Sequence, residues 1–105
     1  MTRKEAMAEL IEKVEAGEPA KVETWFAALG VGDYLARDAA GGSLDAAKAL
    51  HEAVLPEWIW GRQKNGALWV AKRPYTFRVA PGGNNLARAW LLAILRALYA
   101  REAGT

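Results

Sequence analysis

The chain has 105 residues, enough for one domain with one modest core. Hydrophobic residues make up 52% and charged residues 25%, an ordinary globular balance that excludes wholesale disorder. A formal net charge of +2, spread along the chain, is too weak to argue for nucleic acid by itself, and the lack of cysteine excludes disulfides, thiolate chemistry and cysteine zinc sites.

The N-terminal stretch MTRKEAMAELIEKVEAGE places Met7, Leu10, Ile11 and Val14 at helical spacing, with Glu5, Glu9, Glu12 and Glu15 among the polar positions. This predicts an amphipathic helix that Gly17 terminates. Acidic residues through its middle argue against a signal peptide, and no apolar run approaches the roughly 20 residues of a membrane span, so the expected location is cytoplasmic. Pro19 suits the first turn of a second helix carrying Val22, Trp25, Phe26 and Leu29. Gly30 and Gly32 break that pattern, and residues 31–42 read as a short helical turn around Tyr34 to Asp38 followed by a loop at Gly41-Gly42.

Ser43 is a good N-cap for a helix running to about Leu55, with Asp45 at the positive end of its dipole and Pro56 as the stop. Alternating residues EWIWGR, then Asn65-Gly66, then ALWVAKR read as a hairpin, because the favoured two-residue turn needs φ > 0 at both central positions. YTFRVA, after Pro74, supplies a third strand at an edge or bulge. Asn84 or Asn85 caps a long final helix to about Arg101. The expectation is one α+β domain: a helical part over 1–40, then a helix-strand-strand-strand-helix unit over 43–103. Its three-stranded antiparallel sheet, about 58–80, is layered between the N-terminal helices and the long C-terminal helix.

A two-residue loop sets Arg62 opposite Trp69, Trp60 opposite Ala71 and Trp58 opposite Arg73, so that Trp58, Trp60, Arg62, Trp69, Ala71 and Arg73 share one face. Such a face is either a stacking platform or the core with arginines at its rim. The core reading is preferred, because tryptophan is highly buried on average and few other large residues are available. Ile59, Gly61, Leu68, Val70 and Lys72 share the other face, which is largely apolar too and calls for helices on both sides of the sheet.

Candidate sites are few. His51, the sole histidine, lies at the edge of the stripe formed by Ala47, Leu50 and Val54, and "HEAVL" lacks the second histidine of a zinc-protease motif. No metal site, cofactor or catalytic residue is expected. Glu52 is explained by Lys48 four residues earlier, and Glu57 has no assignable partner. "PGGNNLAR" matches neither the dinucleotide fingerprint nor the P-loop and reads as a turn and cap. In the final helix Leu86, Ala87, Trp90, Leu91, Ile94 and Leu98 face the core. Leu92, Leu95 and Tyr99, rimmed by Arg88 and Arg96, form a strip that is either an interface or a seat for residues 1–30.

Three stretches, "ELIEKVEAG" at 9–17, "GGSLDAAKALHEAVLPEWIWG" at 41–61 and "NNLARAWLLAILRALYARE" at 84–102, resemble the phage ABA sandwich domain family. Ser43, Leu44, Asp45, Ala46, Ala47, Trp58 and Trp60 carry the S-L-D-A-A and W-x-W pattern, whereas residues 18–40 depart from it. The resemblance implies a helix–sheet–helix layering and a phage or prophage origin, and it carries over no catalytic residue. The expected function is a non-enzymatic accessory protein that binds a protein partner, such as a host defence or phage assembly component, with self-association as a further mode. From Ser43 onward the element order also resembles double-stranded RNA-binding domains. The alternative is therefore nucleic-acid binding through Arg62, Arg73, Arg78 and Arg88, although one basic residue at the start of the last helix is few for phosphate contacts.

Overall fold

The computed structural model describes residues 2–30, 33–64, 67–79 and 85–104. Among them are helices α1 (Arg3–Ala16), α2 (Val22–Leu29), α3 (Asp33–Ala40), α4 (Leu44–Val54) and α5 (Leu86–Gly104), and strands β1 (Ile59–Arg62), β2 (Leu68–Lys72) and β3 (Tyr75–Val79). The strands form one antiparallel sheet in the order β1-β2-β3, so the fold is α+β.

The helix ends follow from local chemistry. Thr2 and Glu5 close a reciprocal capping box on α1, the Glu5 N–H donating to Thr2 Oγ1 and the Thr2 N–H to Glu5 Oε1, both at 3.1 Å. Gly17 ends α1 at φ 73°, a left-handed conformation that glycine adopts without steric cost. Pro19 lies ahead of α2 rather than in its first turn, and Lys21 occupies the N-cap. The short turn expected around Tyr34 is a full helix, α3, which Asp33 and Arg37 brace with an ion pair at 3.5 Å. Ser43 caps α4 through its hydroxyl, which accepts the Ala46 N–H at 3.1 Å. Asn85 does the same for α5, accepting the Arg88 N–H at 2.9 Å, while Asn84 lies outside the described residues.

α5 is the centre of the molecule. Ala87, Trp90, Leu91, Leu92, Ala93, Ile94, Leu95, Ala97 and Leu98 are all buried, so this helix is covered on every side along its first three turns. α1 runs antiparallel beside it. Arg88 Nε donates to the Val14 carbonyl at 3.0 Å near one end, and Arg3 pairs with Glu102 at 3.2 Å near the other. α3 and α4 pack on α5 as well, and the sheet lies on its remaining side. In the layer order α5 therefore stands between the N-terminal helices and the sheet.

The sheet register differs from the two-residue-loop expectation by one position. Arg62 pairs with Leu68, Gly61 with Trp69, Trp60 with Val70 and Ile59 with Ala71. The Gln63 N–H donates to the Ala67 carbonyl at 2.8 Å, which leaves three residues in the connection, with Asn65 and Gly66 outside the described residues. A slip of one residue exchanges the faces of a strand. Leu68, Val70 and Val79 accordingly point into the core, with Phe77 half-buried beside them. Ile59, Gly61, Trp69, Ala71, Thr76 and Arg78 share the other face, where Ile59, Thr76 and Arg78 are exposed. The expected burial of three tryptophans beneath helices is thus corrected. Trp58 and Trp69 are half-buried and Trp60 is exposed: Trp60 shares the face of Val70 and Phe77 but sits on the edge strand, with its ring against Trp90, whereas Trp69 lies on the outer face over Gly61.

Candidate functional site

Of the five candidate interface residues on α5, Leu92 and Leu95 are buried within the chain and offer no surface to a partner. Their neighbours are engaged by α1. Arg96 Nη2 bonds Glu15 at 2.7 Å, Lys4 Nζ sits 5.9 Å from the centroid of the half-buried Tyr99 ring, and Arg88 is held at Val14. The strip is the seat of the first helix, and its charged rim is the set of ties that fix that helix. A Cβ on Gly17 would come within 2.7 Å of Arg88 Nη2, so the α1 terminus and this arginine are in close contact.

The four candidate nucleic-acid arginines do not converge. Arg78 lies on the outer sheet face beside its cross-strand neighbour Trp69, and Arg62 belongs to the opposite face. Arg73 sits in the β2–β3 turn, whose Arg73–Pro74 peptide is cis, and Arg88 is tied to α1.

His51 is buried, and both ring nitrogens are engaged: Nε2 with the Trp58 carbonyl at 2.8 Å, and Nδ1 with Trp90 Nε1 at 3.3 Å. A carbonyl and an indole N–H leave one consistent arrangement, in which Nε2–H donates to Trp58 O and Nδ1 accepts from Trp90. The histidine thereby joins the end of α4, the entry to β1 and the middle of α5. The Trp90 ring in turn packs against Trp60 with centroids 4.2 Å apart.

Next to that junction, Val54, Leu55 and Trp58 form one wall of a cleft of about 460 Å³ between the C-terminal end of α4, the β2–β3 turn and the C-terminal half of α5. Its origin is a change of side-chain size along α5. Trp90 and Ile94 fill the space at one end, whereas further along Ala97 and Ala100 line a gap beside Phe77. Trp58 reaches across the sheet to Phe77, with ring centroids 6.0 Å apart, and Val54 and Leu55 complete the apolar lining. Tyr75 lies at the mouth with Lys72, Arg73, Arg101 and Glu57. Glu57, left without a partner by local sequence reasoning, is paired with Lys72 fifteen residues on. The Lys72 ammonium, first by its hydrogen bond and then by its charge, holds the Glu57 carboxyl below the usual carboxylate range.

The cleft has an apolar floor, a mostly basic rim and no nucleophile–base pair, and no group of three or more His, Cys, Asp or Glu that could hold a metal is present among the described residues. Its volume lies in the range of roughly 300–1,000 Å³ typical of sites that enclose small ligands. Arg73 stands out in the sequence as a candidate, whereas the cleft around it does not. The available signal was the pair of alanines, Ala97 and Ala100, opposite the aromatic residues of the third strand. No helix among the described residues is long and apolar enough to cross a membrane. No family model, curated protein or solved structure matches this chain.

Proposed function

We propose that this chain is a non-enzymatic accessory protein that acts by binding a protein partner through the side formed by β1, the β2–β3 turn and the cleft beneath them. One observation carries the reading: the molecule completes a core of its own, yet leaves large apolar side chains exposed at this end of the sheet, Ile59 64% on the outer face and Trp60 45% and Tyr75 53% on the face toward α5. Aromatic side chains supply most of the anchoring in protein interfaces, and Trp58 and Phe77 add two more at the cleft. The engagement of both His51 nitrogens in the core supports a non-catalytic role. The S-L-D-A-A and W-x-W resemblance supports a phage or prophage setting, with a host defence or phage assembly protein as the partner. Dispersal of the four arginines weighs against nucleic acid, which needs several phosphate contacts at once.

Affinity capture from bacterial lysate, with the wild-type chain and an Ile59→Glu variant of unchanged circular dichroism, tests this. A protein retained in stoichiometric amount by the wild type and lost by the variant is the expected result. Identical capture profiles would remove β1 and its surroundings as the working surface.

A further inference from the structure

The cleft carries information about which part of a partner it accepts. Its floor, Trp58, Phe77 and Ala100, offers nothing charged, so it suits an apolar side chain. Its mouth carries Lys72 and Arg73 beside the carboxylate of Glu57. Glu57 is already neutralised by Lys72, and Arg73 makes no ion pair among the described residues. The potential at the opening is therefore positive over an apolar floor, the complement of a carboxylate beside an apolar group.

We infer that the cleft binds an acidic peptide segment of the protein partner, with one apolar side chain seated against Trp58 and Phe77 and flanking carboxylates on Arg73 and Lys72. The inference rests on the protein-binding reading and specifies its chemistry. A peptide fits better than a nucleic acid, because Arg62 and Arg78 lie elsewhere on the sheet and cannot extend the basic rim into a phosphate track. Ala100 limits the depth of the site, so enlarging that side chain closes it.

The test is a titration of the full chain, followed by nuclear magnetic resonance at the Trp58 indole N–H, with three probes: Ac-Glu-Leu-Phe-Glu-NH2, Ac-Lys-Leu-Phe-Lys-NH2 and Ac-Glu-Ala-Ala-Glu-NH2. At low ionic strength the first should bind about tenfold more tightly than the second, and the third should give no saturable shift. Arg73→Glu should weaken the first probe about fivefold, whereas Glu57→Gln, which frees Lys72, should strengthen it about twofold. Ala100→Leu should abolish binding while leaving the helical circular dichroism intact. Equal binding of the acidic and basic probes, no response at Trp58, or full binding by the Ala100→Leu variant would each overturn the inference. So would an oligothymidylate that occupies the same site more tightly than the acidic probe. Failure of the peptides together with Ile59-dependent capture of a partner sinks only this inference. Peptide binding without any such capture sinks only the proposed function.

Discussion

α5 and the sheet carry similar apolar content and use it in opposite ways. α5 is surrounded: α1, α3, α4 and the sheet cover Leu91, Leu92, Ile94, Leu95 and Leu98, so nearly every apolar side chain on it is spent on stability. The sheet is covered on one face, where Leu68, Val70 and Val79 meet the core, and it keeps Ile59 and Trp60 in contact with solvent. An apolar strip flanked by arginines turned out to be internal, and a tryptophan-rich hairpin turned out to be partly external. The difference lies in what remains in the chain to cover each. Residues 3–16 have the length and amphipathicity to lie along α5, and the described residues hold no helix over the outer sheet face.

This contrast can be broken most sharply by truncating one side chain in each region. Leu95→Ala should cost about 2–5 kcal/mol, the range for a buried leucine that leaves a cavity, while Ile59→Ala should stay within about 0.5 kcal/mol. Chemical denaturation read by circular dichroism measures both, and similar costs at the two sites would erase the distinction. Gly61→Ala comes next, at about 1–3 kcal/mol, because a Cβ there would overlap the Trp69 indole. The displaced ring should also shift Trp69 emission to longer wavelength.

His51→Ala should lose about 1–3 kcal/mol, since it leaves the Trp90 indole N–H without its acceptor. A denaturation midpoint unchanged by that substitution would show that the α4–β1–α5 junction does not depend on the histidine. The smallest effect concerns Glu5, whose carboxyl is held below the usual range by hydrogen bonding from the Thr2 backbone and then the Thr2 side chain. A depressed carboxylate contributes stability that is present above its unfolded value and lost as pH falls through the folded value. Acidification should therefore loosen the start of α1 slightly in the wild type and less in Glu5→Gln, as amide hydrogen exchange at residues 3–6 would report.

Much of this architecture is legible in the sequence, because it rests on local chemistry. Ser43 and Asn85 cap their helices, Gly17 ends α1, and period-two alternation marks the strands. Register was not legible. Asn65-Gly66 is the signature of a two-residue loop, but the flanking pair Gln63 and Ala67 closes the hairpin around three, and that single residue exchanges which tryptophans face inward. The Lys72–Glu57 pair and the cleft were hidden for another reason. Both arise where segments distant in sequence meet, and a pair of alanines near the end of α5 reads as helix propensity before it reads as missing volume.

The chain contains no cysteine, which makes thiol labelling a direct probe of what is inside and what is outside. In native protein, Ile59→Cys should react with a maleimide at close to the rate of a free thiol, and Leu95→Cys should react only as fast as the whole molecule unfolds. Rapid native-state labelling of Leu95→Cys would mean that α1 does not cover α5, and that the leucine strip, rather than the sheet and its cleft, is the surface open to a partner.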